Sequence, residues 1–141
     1  FCTGPGRNIL QDGEMLVSIN FPAPVAHSGA SYLRFIPRNE MDIAVAGVGT
    51  SIVLDESGQN FVSARISLAS VAPIPVFAKE AGDSLAGKPV SEATIQQASE
   101  KAIAAATPIS DMRGTISQRN HLVGVLTRRT LKIAVERARG G

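Results

Sequence analysis

The apolar residues of this chain change their spacing once. Up to the stretch "VAPIPVFA", residues 71–78, they recur at every second position, and beyond it at every third or fourth. The first spacing is that of a strand with one covered face, the second that of a helix with one covered stripe. In "EMLVSINFP", Met15, Val17, Ile19 and Phe21 share one side while Leu16, Ser18 and Asn20 share the other, and Pro22 and Pro24 end the run, since proline cannot donate to a ladder. "SYLRFI" sets Leu33 and Phe35 against Tyr32, Arg34 and Ile36, and Pro37 closes it. "DIAVAGVGTSIVL" is apolar on both faces, as an inner strand would be, and Gly47 and Gly49 suggest a bulge or a close approach. After the turn cluster "DESGQN", "FVSARISLAS" returns with Val62, Ala64, Ile66 and Leu68 inward and Ser63, Arg65 and Ser67 outward, a hairpin with a loop of about five residues.

The later part reads as helices. "KEAGDSLAGKPV" holds a short helical stretch ended near Gly87, Lys88 and Pro89. Ser91 can cap "SEATIQQASEKAIAAAT", whose Ile95, Ala98, Ala102 and Ala105 share one face. Thr115 with Gln118 fits a capping box for the last helix, where Leu122, Leu126, Thr130, Ile133 and Ala134 form the stripe expected to lie on the sheet. Strands first and helices last predict an α+β domain: an antiparallel β-sheet of about four strands followed by about three helices packed on one face.

Residues 1–141 are of the size of one domain, and 44% hydrophobic with 18% charged residues is ordinary for a globular fold. No run approaches the ~18 consecutive apolar residues of a membrane helix, and no signal-peptide pattern is present; the expected location is cytoplasmic. The single Cys2 cannot form an internal disulfide, and two histidines, His27 and His121, make no metal-ligand cluster. No catalytic group is assigned either: no nucleophile elbow accompanies the histidines, and "TGPG" and "GVG" match neither a P-loop nor a dinucleotide fingerprint. Residues 113–141 hold seven cations against Glu136, whereas residues 1–112 hold seven cations against eleven acids. A basic tail could touch nucleic acid, but 4% aromatic content without Trp offers few stacking platforms. A solvated helix face whose cations favour the negative end of the helix dipole is the preferred reading. Asp111 and Arg113 are expected to form a local ion pair that locks the loop before the last helix.

Taken with its apolar alternates under the helices, each of the first two strands leaves one unusual residue on the opposite face: Leu16 and Arg34. An apolar side chain beside a cation suits a flat, anionic cofactor, apolar packing for the ring and charge for its oxygens. A surface arginine covering apolar area with its stem is the alternative for Arg34.

The stretches "FCTGPGRNILQDGEMLVSINFP", "YLRFIPRNEMDIAVAGVG", "ARISLASVAPIPV", "AGKPV" and "PISDMRGTISQRNHLVGVLTRR" follow one another in an order and spacing that resembles the C-terminal domain of the FAD-binding subunit of molybdenum hydroxylases, a group that includes the carbon monoxide dehydrogenase medium subunit and the flavin region of xanthine dehydrogenase. The resemblance covers essentially the whole chain. It implies one domain, the C-terminal domain of a larger flavoprotein subunit, with the loops that hold most of the FAD in a preceding part; the Gly- and Pro-rich entry at Phe1 reads as a domain boundary. It further implies an electron exit: a partner subunit with the molybdenum cofactor, another with iron–sulfur clusters, and FAD handing electrons to an external acceptor. Residue by residue, Leu16 matches a leucine near the isoalloxazine, and Arg34 a flavin-contacting basic residue that is often lysine. Arg38 and Asp42 fill an R-x-x-x-D pattern expected to orient the loop by an ion pair. The isolated domain is expected to be inactive and to retain no FAD. The rival readings are an assembly domain that binds no flavin and, from another class, a nucleic-acid module.

Overall fold

In the computed structural model, which describes residues 1–38 and 41–140, the chain forms a sheet covered on one face by three helices. The elements are β1 (Cys2–Gly4), β2 (Arg7–Asn8), β3 (Ser28–Phe35), β4 (Ala46–Leu54), β5 (Phe61–Ala69), β6 (Val76–Phe77), α1 (Lys79–Asp83), α2 (Glu92–Ala105) and α3 (Ile116–Ala138). β1 and β2 make a small hairpin over the "TGPG" turn, whose Gly6 takes a left-handed conformation at φ 66°. The main sheet is antiparallel in the order β3-β4-β5-β6.

The α+β class, the sheet of four strands and the three helices agree with expectation, but the membership of the sheet differs. Residues 14–22 form no strand and pair with no strand among the described residues. The fourth strand is instead the two-residue β6, which returns along β5 with Ser67 opposite Phe77. Alternation records only that one side of a segment is apolar, and here that side is uncovered: Val17 and Phe21 are 86% and 87% exposed. The edge of β3, where such a strand could have been added, is partly capped, because Arg137 from the end of α3 donates through Nη1 to the carbonyl of Ala30 at 2.6 Å. Cationic capping of an edge discourages strand addition.

In β4 the even positions Ala46, Val48, Thr50, Ile52 and Leu54 are buried under the helices. In β5, Ile66 and Leu68 do the same, with Ala64 half-buried against the core. Val62 does not. A bulge shifts the register between the pairs Val53↔Ser63 and Leu54↔Phe61, so one extra residue is inserted and the parity flips. Phe61 enters the core at 1% exposure and Val62 is left outside at 55%.

The expected N-caps are present. The Ser91 hydroxyl accepts from the Thr94 N–H at 3.2 Å, and Thr115 from that of Gln118 at 3.1 Å. Ile95, Ala98 and Ala102 of α2 are buried as read, with Ala105 packed half-buried against the core. On α3, Leu126, Thr130 and Ala134 lie in the core, but Leu122 and Ile133 are only half-buried and the seam is completed by Val123, Thr127 and Leu131. The helix is rotated from the expected stripe because it is wedged between α2 and the strands β3 and β4 rather than laid on a flat sheet. Gly29 is required there: a Cβ at this position would collide with the α3 backbone at Ala134 and Ala138.

Candidate functional site

The face of the sheet opposite the helices carries the odd-numbered residues of β4 and their neighbours. Tyr32 on β3 stands opposite Gly49, and Arg34 opposite Gly47. A Cβ at Gly47 would lie 2.8 Å from the Tyr32 hydroxyl, and one at Gly49 would lie 3.6 Å from its ring. The "GVG" sequence therefore makes room for an aromatic ring laid across the next strand. On β5, Arg65 stacks over the ring of Phe77, 5.2 Å from its centroid, a cation–π contact. These residues are exposed, Tyr32 by 57% and Phe77 by 49%. Residues 20–25 run past this face and close one side of a groove of about 1240 Å³, whose floor includes Tyr32, Ser51, Arg65 and Ser67.

Arg34 reaches the helix-free face as expected and is exposed. Leu16 does not join it by strand pairing, because residues 14–22 form no strand and none of them is paired with β3. Leu16 sits half-exposed in the extended segment, and neither it nor Arg34 lines the groove. Beyond β3, Arg38 and Asp42 form the expected ion pair: Nε lies 3.3 Å from Oδ2, and the Arg38 backbone N–H donates to the same oxygen at 3.2 Å. The hydrogen bond from the Arg38 side chain is the main cause holding the Asp42 carboxyl below its ordinary value.

The loop lock at Asp111 exists with a different partner. Its carboxylate accepts the backbone N–H of Arg113 at 2.8 Å, but the guanidinium that meets it belongs to Arg119, whose Nη2 lies 2.8 and 2.9 Å from the two oxygens. Nη1 of Arg119 donates to the carbonyls of Val45 and Ser70 at 2.7 and 2.9 Å. The side chain is buried, and it ties the start of α3 to the approach to β4 and the exit from β5. Sequence reasoning missed it because one arginine among several near a helix start looks like a surface cation; its buried partners are carbonyls, which leave no trace in a residue pattern. Other basic residues of the tail are also engaged: Arg139 donates to the Gly58 carbonyl at 2.7 Å and Lys132 pairs with Glu92 at 2.6 Å. They are surface contacts, and apart from Arg119 the cations of α3 lie on a solvated face as expected, with Arg129, Lys132 and Arg137 all exposed.

Residues 31–134 match the family model of the CO dehydrogenase flavoprotein C-terminal domain. The chain belongs to that family. It is 30% identical over 141 residues to the putative xanthine dehydrogenase FAD-binding subunit of Escherichia coli (strain K12), covering 99% of this chain and 48% of the relative. To the carbon monoxide dehydrogenase medium chain of Afipia carboxidovorans it is 35% identical over 130 residues, covering 92% of this chain and 44% of that one. A solved structure of carbon monoxide dehydrogenase from Hydrogenophaga pseudoflava superposes with a TM-score of 0.88 at 30% identity, over 95% of this chain and 46% of the other. Quinoline 2-oxidoreductase from Pseudomonas putida 86 gives 0.87 at 30% identity, over 98% and 47%. The chain thus spans about half the length of the relatives it matches.

Proposed function

We propose that this chain is the C-terminal domain of the FAD-binding subunit of a molybdenum hydroxylase of the carbon monoxide dehydrogenase and xanthine dehydrogenase group. The observation that carries the reading is the family match over residues 31–134, with relatives named for FAD-binding subunits aligning along the chain almost from end to end. The parent enzyme would be an oxidoreductase in which a molybdenum-cofactor subunit chooses the substrate and an iron–sulfur subunit relays electrons to the flavin subunit. No helix among the described residues is long and apolar enough to cross a membrane, and the expected place of work is the cytoplasm.

The residues present fit one side of a flavin site. The helix-free face has an exposed aromatic ring on a glycine floor and two cations, Arg34 and Arg65, which suits a planar ring with electron-rich oxygens. A glycine-rich loop opening a helix, the usual cradle for phosphates, does not occur among the described residues. When bound, FAD would supply reversible uptake and release of electrons; this chain's part would be to bind and orient the ring edge. Leu16 would supply apolar contact and Arg34 a cation that favours added negative charge. Because Leu16 has no partner strand among the described residues, its contribution depends on how the rest of the subunit holds residues 14–22.

The test is Arg34→Ala in the complete flavoprotein subunit, reading flavin occupancy and reduction potential. Loss of the cation is expected to lower both while leaving the melting temperature nearly unchanged, and Leu16→Ala to loosen the flavin with less effect on potential. Unchanged occupancy and potential in both variants would leave Arg34 an ordinary surface arginine. A complete subunit that purifies without flavin would support the assembly-domain reading.

A further inference from the structure

Residues 15–26, "MLVSINFPAPVA", contain no ionisable side chain. Met15, Val17, Ile19 and Phe21 are 73%, 86%, 67% and 87% exposed. Between Met15 and Pro24 no backbone group has a hydrogen-bond partner among the described residues. An uncovered run of this kind combines period-2 alternation, β-branched and aromatic side chains and free backbone groups, which is a template for strand pairing and an aggregation hazard if left bare.

We propose that residues 14–21 are a strand of a second sheet, one supplied by the rest of the flavoprotein subunit, joined by backbone pairing with Met15, Val17, Ile19 and Phe21 closing onto an apolar layer there. The proposal rests on the reading of this chain as part of such a subunit. The spacing of two calls for a strand partner rather than a helix groove, which would need apolar residues at every third or fourth position. The lack of charge fits neither a phosphate backbone nor an anionic lipid surface. A second copy of the chain could pair the two segments, but a two-stranded ribbon with no covering layer is marginal in water and would leave the four apolar side chains wet. The curated relatives align with this chain over nearly its whole length and have more than half of their own length outside the match, so a covering sheet has a source in the same polypeptide. The β3 edge is disfavoured as that source, since the Arg137 guanidinium already occupies its Ala30 carbonyl.

Amide hydrogen exchange on the complete, FAD-containing flavoprotein subunit tests this. Amides of residues 15–21 are expected to exchange about a hundredfold or more slowly than in an unstructured peptide, and Val17→Pro, which removes a donor from the ladder, is expected to abolish that protection. In the chain of residues 1–141 alone the same amides should exchange freely, and Val17→Pro should leave its melting temperature unchanged. Free exchange of residues 15–21 in the complete subunit would overturn the proposal, and so would protection of the chain alone that rises with its concentration, which would identify a second copy as the partner. Should Val17→Pro prevent the subunit from folding, the wild-type exchange pattern still decides. Absence of flavin from the subunit would count against the flavoprotein reading, whereas free exchange with flavin bound would count against the strand alone.

Discussion

Residues 15–21 and the β5 run from Ala64 to Leu68 carry the same alternation of apolar and polar side chains, yet their fates are opposite. Ile66 and Leu68 are 0% and 1% exposed beneath the helices, whereas Ile19 is 67% exposed. What separates them is the company each finds: β5 is paired on both sides and covered by α1, while the earlier segment has no strand partner among the described residues and its apolar side chains are exposed. Alternation is a necessary condition for a half-buried strand, and burial is conferred by a second element. The same contrast explains why the apolar alternates, expected under the helices, form the most exposed apolar run of the chain's first part.

Paired truncations offer the largest way to break this comparison. Ile66→Ala should destabilise the chain by about 2–5 kcal/mol through lost burial and a residual cavity, and Ile19→Ala by less than about 0.5 kcal/mol, as for other exposed sites. Urea unfolding of both variants measures the difference. Equal losses would mean that residues 14–22 pack on this domain after all.

A smaller effect should follow Arg119→Met, which strips buried carbonyls of their donor and leaves the 111–114 turn without its tether. The expected loss is roughly 2–3 kcal/mol, typical of hydrogen bonds to a charged group. Thermal unfolding would read it, and a loss no larger than that of Arg129→Met on the exposed face would remove Arg119 from its anchoring role.

Acid titration sharpens the comparison at the turn that holds β4 to β5, a local device that the earlier segment lacks. Asp55 accepts from the Asn60 side chain at 2.8 Å and from the Gln59 N–H at 2.9 Å. The hydrogen bond from the Asn60 side chain is the main cause that lowers its carboxyl to about 2. A depressed carboxyl contributes stability that is present above the unfolded value of 3.8 and lost as pH falls toward about 2. The melting temperature should therefore drop through that window, and Asp55→Asn should flatten the drop without removing it. Asp42 and Asp111 are lowered too and act with the same sign. A wild-type profile identical to that of the variant would show that the turn contributes nothing.

The local features were legible from residue order. Ser91 and Thr115 cap the helices they precede, the "DESGQN" turn closes the hairpin, and the glycines at positions 47 and 49 mark a close approach. Each depends on neighbours within a few residues, whose chemistry is written consecutively. The Arg38–Asp42 pair was expected from the family resemblance, through its R-x-x-x-D pattern. The candidate site was legible only in part: Arg34 lies on the helix-free face, but Tyr32, which occupies the glycine floor, drew no notice as a site residue, and Leu16 is not brought there by this chain.

By itself, then, the sequence determined the strands β3 to β5, the helices that follow them and the caps of α2 and α3, because these follow from local backbone and side-chain chemistry. Only the tertiary structure decided which apolar face is covered, which residue the β5 bulge turns outward, and that Arg119 reaches the carbonyl of Val45, 74 positions away. Such choices are made through space, by which surfaces exclude water from one another and which buried carbonyls still need a donor, and residues far apart in the chain carry no local sign of them.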